Sequence, residues 1–248
     1  MNLQTASLSL LGRRANNEDF ALHFRLGDDH VAILCDGMGG YPDGEYAARY
    51  FAEAFQQAVQ TSLPAASDTP GQILANWLQR SLDLMCPQLV SEGRSSLAHT
   101  TCVAAWLSDS FTVVGHVGDS RAYILNTDAV LWRTRDHNLF ELAMANGDIP
   151  KDDNGRARGN HSLLYRSVSC GEPLKPSLVQ RPPLQPGETL VLCSDGAWFP
   201  LQDEGWTDLY RGADLKFTLR GLLETAVTRS GDQADNATAL VLRRPLED

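Results

Sequence analysis

A run of short, strand-like segments in the middle of the chain limits the available folds more than any other feature of this sequence. Four apolar segments, at residues 100–107, 111–117, 122–125 and 130–134, follow one another with only short turns between them. They are rich in β-branched residues and bounded by Gly, Asp or Asn, a pattern typical of strands. Because these strands do not alternate with helices, a doubly wound parallel sheet is disfavoured.

Helical periodicity is confined to the flanks of this run. Residues 44–62 and 70–89 place apolar side chains on one face each, and the loop between them contains proline and glycine. Two shorter helices are predicted at residues 138–146 and 215–230, each ended by a glycine. Further strands are predicted at residues 30–35, 189–193 and 238–242. The order of elements favours an α+β fold in which antiparallel sheet is covered by helices.

The charge of the chain excludes one class of function. The 248 residues include 31 acidic and 21 basic side chains, a net charge of -10, whereas a nucleic-acid-binding protein needs a basic surface. The length suits one large domain or two small ones and allows a sizeable core. We expect no nucleic-acid partner.

The five cysteines and the apolar segments bear on the compartment. The cysteines are odd in number, scattered and never arranged as CxxC, which is typical of a reducing compartment and gives no zinc-site spacing. Cys35 and Cys193 lie in apolar segments and are interpreted as core residues. The N-terminal residues lack a long apolar region, and no stretch approaches 18 apolar residues. These features predict a cytoplasmic protein with no membrane span.

Carboxylates stand at the ends of three predicted strands. Two apolar segments end in the same way, in Asp36 and in Asp195, each followed by glycine, and Asp235 stands just before the segment 238–242. A single Asp-Gly is typical of a turn. Three strand ends of this kind indicate carboxylates that converge at the rim of a sheet, where they repel one another unless a cation neutralises them.

The chemistry of these groups indicates which cation they would bind. Aspartates, with Glu18 as a further candidate, form an all-oxygen ligand set, which selects Mg²⁺ or Mn²⁺. Two such ions about 3.5–4 Å apart suit the hydrolysis of phosphoesters. Arg14 lies four residues before Glu18, and its guanidinium is able to fork onto two phosphate oxygens. The alternative for Arg14 is an ordinary surface salt bridge.

Seven short segments, in this order, carry a resemblance to a known family. They are RANNED from Arg14, DGMGG from Asp36 with GE following, TT at 100–101, GDSRAY from Gly118, DH at 136–137, SDG from Ser194 and DNAT from Asp235. Together they resemble the type 2C, or PPM, family of protein phosphatases, in its bacterial form. The match runs from residue 14 to residue 236, so we expect residues 1–248 to form a single catalytic domain.

The resemblance implies a four-layer α-β-β-α sandwich, in which two antiparallel sheets lie face to face with helices outside. It also implies two Mn²⁺ or Mg²⁺ ions and a third, weaker one. The implied roles are as follows: Asp36 bridges both ions, the Gly37 carbonyl binds one, Asp195 and Asp235 complete the other, Glu18 acts on the second ion, Asp119 helps to bind the third, Arg14 holds the substrate phosphate and Asp19 orients Arg14. Residues 146–160 fall where the family carries a flap beside the site.

The chain departs from the family pattern near the expected site. Tyr41 replaces a histidine, and His99 replaces a glycine. Residues 197–199 read Ala-Trp-Phe after the SDG segment, which alters the wall beside the metals. Met38 stands where eukaryotic relatives have a histidine proposed as general acid, so that proton donor is absent. None of these changes removes an expected metal ligand.

The remaining histidines are interpreted mainly as structural. His137 resembles the family's DH element, and a structural role is preferred for it over a catalytic one. His116 lies within a strand and is expected to be packed. His161 follows the predicted flap and is the one candidate proton donor among them.

The resemblance implies hydrolysis of phosphoserine and phosphothreonine in proteins by direct attack of a metal-activated water. We expect a monomer that opposes a bacterial serine/threonine kinase. Two alternatives stay open. One is a regulatory module that binds phosphoprotein and turns it over poorly, and the other is a phosphatase of small metabolites, which would need a deep, narrow pocket.

Overall fold

Two antiparallel five-stranded sheets pack face to face at the centre of the molecule. The computed structural model describes residues 1–62, 65, 67–148, 163–212 and 214–246. The first sheet has the strand order β1-β12-β11-β7-β8. Its strands are β1 (Gln4–Leu10), β7 (Arg121–Leu125), β8 (Val130–Arg133), β11 (Thr189–Cys193) and β12 (Ala237–Arg243).

The second sheet has the order β10-β6-β5-β3-β2 and is also antiparallel throughout. Its strands are β2 (Asp19–Leu26), β3 (Asp29–Asp36), β5 (Cys102–Leu107), β6 (Thr112–Val117) and β10 (Ser177–Arg181). A small third sheet pairs β4 (His99–Thr100) with β9 (Val168–Ser169).

The helices form the outer layers. They are α1 (Gly44–Thr61), α2 (Pro70–Ser91), α3 (Leu139–Asn146), α4 (Asp195–Gly205) and α5 (Leu215–Ser230), with two 3₁₀ turns at Trp206–Tyr210 and Gly231–Gln233. Thr69 and Gln72 close a capping box at the start of α2, and Gly147 ends α3 in the left-handed region with φ 79°.

Alternation along the strands produces the layers. In β3, Val31, Ile33 and Cys35 face α1 and α2, whereas Ala32 and Leu34 face the other sheet. In β12, Val241 packs with α4 and α5, and its neighbours along the strand pack between the sheets. Three separate cores result, one under each helical layer and one between the sheets. This is the four-layer α-β-β-α sandwich that the resemblance implied, so that prediction is confirmed.

Several elements differ from the sequence predictions. β1, β2 and β10 were not predicted, because their side chains are only partly buried and their apolar pattern is weak. The predicted strand at 100–107 is divided at Thr101 between two sheets. The segment from Gly118 to Arg121 would be a hairpin turn by its sequence alone. It instead links β6 in one sheet to β7 in the other.

The pairing of two cysteines contradicts the prediction of scattered, unpaired thiols. Cys86 of α2 and Cys170, just after β9, form a disulfide between residues 84 positions apart. Cys35, Cys102 and Cys193 are free and buried, which confirms the core role predicted for Cys35 and Cys193. The sequence could not reveal the pairing, because only the fold brings α2 against the β4–β9 sheet. The support that unpaired cysteines gave for a reducing compartment is therefore lost.

No helix in the described parts of the chain is long and apolar enough to cross a membrane. This agrees with the absence of long apolar stretches in the sequence.

Candidate active site

Acidic side chains from both sheets gather at one end of the sandwich. Asp36 ends β3, Asp195 follows β11, Asp235 precedes β12, and Asp119 lies on the connection between the sheets. They line a cleft of about 360 Å³. The other residues that line it are Arg14, Glu18, Gly37, Met38, Gly39, Gly40, Tyr41, Thr101, Leu163, Leu164 and Asn236.

The second sheet holds Asp36 through its backbone. Asp19 and Asp36 are directly opposite each other in the antiparallel pair β2–β3. The Asp36 amide donates to Thr101 Oγ1 at 3.2 Å, and the Asp36 carbonyl accepts from the Thr101 amide at 2.8 Å and from Thr100 Oγ1 at 2.9 Å. The strand end that carries Asp36 is therefore fixed on both sides.

The first sheet holds Asp195 at the start of α4. Ser194 Oγ donates to Asp19 Oδ2 at 2.7 Å and accepts from the Thr238 amide at 3.0 Å, so this one hydroxyl ties the two sheets together beside the site. A Cβ on Gly196 would lie 2.1 Å from the Asn236 carbonyl oxygen. Only glycine lets β11 turn into the helix so close to the start of β12.

Asn236 fixes the loop that carries Arg14 and Glu18. Its side-chain oxygen accepts from the Glu18 amide at 2.8 Å, and its Nδ2 donates to the Leu11 carbonyl at 2.9 Å and the Asn16 carbonyl at 3.0 Å. An amide side chain suits this position because it offers both a donor and an acceptor.

Arg14 is the cation of the site. Its Nη2 donates to Asp235 Oδ2 at 2.6 Å, and 55% of its side chain is exposed at the mouth of the cleft. Within the described residues, no hydrogen bond or ion pair joins Arg14 to Asp19, and the Asp19 carboxylate instead accepts from Ser194. In this structure Asp19 does not line the cleft but bonds to Ser194, next to Asp195. Arg14 is instead oriented by its hydrogen bond to Asp235.

Burial and mutual repulsion raise the pKa values of four carboxyl groups, those of Asp19, Asp36, Asp119 and Asp195. Burial raises the pKa of Asp19 to about 7 and that of Asp195 to about 6. Burial, followed by the charges of Asp19 and Asp195, raises the pKa of Asp36 well above its usual range. The pKa of Asp119 is also raised, first by burial and then by Asp195. A cation would relieve this repulsion and keep the groups ionised.

Three observations indicate that the carboxyl cluster suits divalent ions. Glu18 Oε2 and Asp19 Oδ1 are buried without a hydrogen-bond partner. Among the described residues, the Gly37 carbonyl accepts no hydrogen bond, so it is available as a ligand. All the donors are oxygen atoms, which suits Mg²⁺ or Mn²⁺.

The side chains partly satisfy one another in this arrangement. Asp235 is paired with Arg14 through a 2.6 Å hydrogen bond. Consistent with that, the described residues contain no set of three or more His, Cys, Asp or Glu side chains already converged on one point. The donors fit divalent ions in their chemistry, and they line one cleft.

Asp119 is positioned by groups on both sides of its loop. Gly118 has φ 101°, and its amide donates to His137 Nδ1 at 3.1 Å, while Trp198 Nε1 donates to the Asp119 carbonyl at 2.9 Å. His137 stacks on His116 with ring centroids 4.5 Å apart. His137 and His116 thus have the structural roles that the sequence predicted.

The sequence located most of the site. Of its eight predicted residues, the structure brings seven to the cleft, and Asp19 lies directly behind them. Sequence reasoning missed Thr101 and Asn236, which support the site, and Trp198, which holds the Asp119 loop. The signal for Asn236 was present, since it directly follows Asp235 in a segment already recognised. The predicted flap, from residue 149 onward, and His161 lie outside the described residues.

Comparisons with known proteins agree with this geometry. The model of the family "Protein phosphatase 2C" matches residues 9–234. The serine/threonine phosphatase stp of Listeria innocua is 29% identical over 245 residues, covering 94% of this chain and 92% of its own. The PstP/Ppp structure from Mycobacterium tuberculosis has a TM-score of 0.79 at 25% identity and covers 99% of both chains. PppA of Pseudomonas aeruginosa, described as a key regulatory component of T6SS, has a TM-score of 0.76 at 26% identity and covers 98% of both chains.

The fold and the acidic cleft define a protein phosphatase, an enzyme that hydrolyses phosphoric monoesters. The family model covers nearly the whole chain, and the relatives match over most of its length. The chain belongs to the protein phosphatase 2C family, and the sequence prediction of a serine/threonine phosphatase of this family is confirmed.

Proposed function

We propose that this enzyme hydrolyses phosphoserine and phosphothreonine in proteins with two divalent ions held by Asp36, Asp195, Asp235, Glu18 and the Gly37 carbonyl. The observation that carries the proposal is the half-buried carboxyl cluster, in which the Glu18 Oε2 and Asp19 Oδ1 atoms are buried and lack partners. Desolvated carboxylates of one sign are costly without a counter-cation. A related structure, the catalytic domain of PstP, is described as a complex with two manganese ions, which supports the same stoichiometry here.

The ions would supply Lewis-acid chemistry, lowering the pKa of water and polarising the phosphoryl oxygens. The protein's own part is to hold the ligands rigidly, since preorganised charges cost no reorganisation during the reaction. Thr101 and Ser194 do this for the two sheet ends. Asp119, on its supported loop, is proposed to help bind a third ion.

Arg14 is proposed to bind the substrate phosphate. Its guanidinium lies at the mouth of the cleft and already contacts one carboxylate oxygen of Asp235. A phosphate is able to replace that carboxylate as partner, because both accept a forked pair of N–H bonds. Asp235 would then be released for the ions. Met38, which lines the cleft, carries no proton to give to the leaving alkoxide.

The rim of the cleft, in the part of the chain that the structure describes, is open, which favours a protein substrate over a small metabolite. Arg14, Gly39 and Gly40 are exposed there, and Tyr41 keeps 44% of its surface in solvent. An open rim allows a phosphorylated side chain to enter while its polypeptide stays outside. The full set of carboxylates argues against a binding module without turnover.

The partner is proposed to be a phosphoprotein made by a cognate serine/threonine kinase, and the enzyme is proposed to act as a monomeric catalytic domain in the cytoplasm. The cytoplasm is proposed as the compartment because kinases phosphorylate their substrates where ATP is available. The Cys86–Cys170 disulfide would then form only under oxidising conditions there.

The test is phosphate release from a phosphothreonine peptide with Mn²⁺ by the wild type and by Asp36→Asn and Asp195→Asn. Both variants are expected to lose at least about 1000-fold in kcat/KM, because each removes a ligand charge from the centre. Asp83→Asn, which changes an exposed carboxylate on α2, is the matched control. Near-wild-type turnover by Asp36→Asn would refute the two-ion proposal.

A further inference from the structure

Two of the residues at which the chain departs from its family pattern, Tyr41 and His99, meet beside the cleft. Their rings are stacked with centroids 3.9 Å apart and an interplanar angle of 28°. They are 58 positions apart in the sequence, so only the fold brings them together. The contact lies next to Asp36 and Gly37, because the His99 carbonyl accepts from the Met38 amide at 3.0 Å.

The surroundings of His99 hold this pair in place. His99 belongs to the β4–β9 sheet, opposite Ser169, and its Nδ1 is hydrogen-bonded to Ser167 Oγ at 2.8 Å. The Tyr41 amide donates to the Met38 carbonyl at 3.0 Å. The tyrosine ring is therefore backed by an imidazole that is itself fixed to the sheet.

Apolar side chains form part of the lining of the cleft. Met38, Tyr41, Leu163 and Leu164 line the same cleft as the carboxyl cluster. We call these four residues the apolar shelf. Leu163 is 52% exposed and Tyr41 44% exposed, so both present apolar area to solvent at the edge of the phosphate site. The described contacts include no hydrogen bond from the Tyr41 hydroxyl.

The phosphate needs only the carboxyl-bound ions and Arg14, so the shelf is free to contact another part of the substrate. A fixed aromatic ring gains contact area without losing much conformational freedom on binding. The cleft is also rich in carboxylates, since Glu18, Asp36, Asp119, Asp195 and Asp235 all line it. Acidic residues beside the phosphorylated one are therefore disfavoured, whereas an apolar or aromatic side chain fits the shelf.

We propose that Tyr41, held by His99, is a specificity-determining residue that selects phosphoprotein segments with an aromatic or large aliphatic side chain within two residues of the phosphorylated one. This inference rests on the proposed phosphatase function and adds the substrate class.

The test uses three phosphothreonine peptides that differ only at the neighbouring position, with Phe, Gly or Glu there. The wild type is expected to favour the Phe peptide over the Gly peptide by about tenfold in kcat/KM, mostly through KM, and to disfavour the Glu peptide. Tyr41→Ala is expected to reduce the Phe/Gly ratio to about one. Tyr41→Phe is expected to retain it, because the ring and its stacking remain.

The ratio between peptides separates recognition from damage to the loop, since general damage lowers turnover of all three peptides equally. Phe217→Ala changes a 77% exposed aromatic residue on α5 and should leave the ratio unchanged. Equal kcat/KM for the Phe and Gly peptides in the wild type, or an unchanged ratio in Tyr41→Ala, would overturn the inference. If the wild type hydrolyses none of the peptides with Mn²⁺, the proposed function itself fails.

Discussion

Arg14 and its partner Asp235 show how a charged pair at the cleft mouth can serve substrate binding. Only part of the Arg14 side chain is buried, and the pair is open to solvent, so the ion pair contributes little to stability. Its location is more informative than its strength. The guanidinium is proposed to bind the substrate phosphate, and the same geometry that now binds a carboxylate suits that anion.

We therefore expect Arg14→Ala to lower kcat/KM for a phosphopeptide by about 100-fold or more, and Arg14→Lys to recover only part of this loss, because lysine cannot fork. Steady-state kinetics at saturating Mn²⁺ measures the effect. Arg13→Ala, which removes an exposed neighbouring guanidinium, serves as control. Equal kinetics for Arg14→Lys and the wild type would show that a point charge is sufficient and that the fork has no role.

His137 supplies a pH-dependent contribution to stability. Burial, with smaller effects from His116 and Arg166, lowers the pKa of His137 to about 3, whereas the unfolded chain keeps a value near 6.5. Ser177 and Tyr165 also face the ring. The folded state thus holds the neutral imidazole, and its contribution is complete above about pH 6.5 and declines as the pH falls below that value.

Between pH 7 and pH 5, the wild type is expected to lose about 1–2 kcal/mol more of its unfolding free energy than His137→Gln. Glutamine keeps hydrogen-bonding groups but does not titrate. Urea unfolding of the metal-free protein at the two pH values gives both free energies. Parallel losses in the two proteins would contradict the assignment of this acid sensitivity to His137.

At the scale of elements, the Cys86–Cys170 disulfide links α2 to the end of β9. That strand pairs with β4, whose residues His99 and Thr100 contact the loop after Asp36. The bond therefore braces the small β4–β9 sheet, which carries the His99 ring that stacks on Tyr41. Closing a loop of this length limits the unfolded chain and stabilises the folded one.

Reduction is expected to lower the unfolding free energy by about 2–4 kcal/mol. Thermal unfolding with and without dithiothreitol measures this in the wild type. The double variant Cys86→Ser/Cys170→Ser should match the reduced wild type and show no response to the reductant. A response in the double variant, or none in the wild type, would mean that this bond does not stabilise the fold.

The elements also show what the sequence could and could not predict. The strands with continuous apolar cores, such as β3 and β11, were located to within a residue or two, because burial on both faces gives a strong pattern. α4 was missed, since Asp195-Gly196 reads as a turn and Pro200 interrupts the helix. Residue propensities could not show that the start of β12 lies close to the end of β11, where the chain turns directly into α4.

At the scale of the molecule, the site is a product of how two sheets meet. Asp36 belongs to one sheet, and Asp195 and Asp235 border the other. Their spacing in sequence gives no hint of proximity, whereas their positions at strand ends, together with the family resemblance, placed them in one site. Contacts that depend on side-chain packing, such as Tyr41 with His99 and Ser194 with Asp19, could not be predicted in this way.

The central claim, that the carboxyl cluster is a binuclear metal centre for phosphoester hydrolysis, is tested most directly by counting bound metal. Protein stripped with EDTA is titrated with Mn²⁺ by calorimetry, and phosphate release from a phosphothreonine peptide is followed in the same samples. The wild type is expected to bind at least two ions per chain and to be inactive without them, whereas Asp36→Asn loses both ions and the activity. Full turnover in EDTA, or two tightly bound ions in Asp36→Asn, would contradict the account.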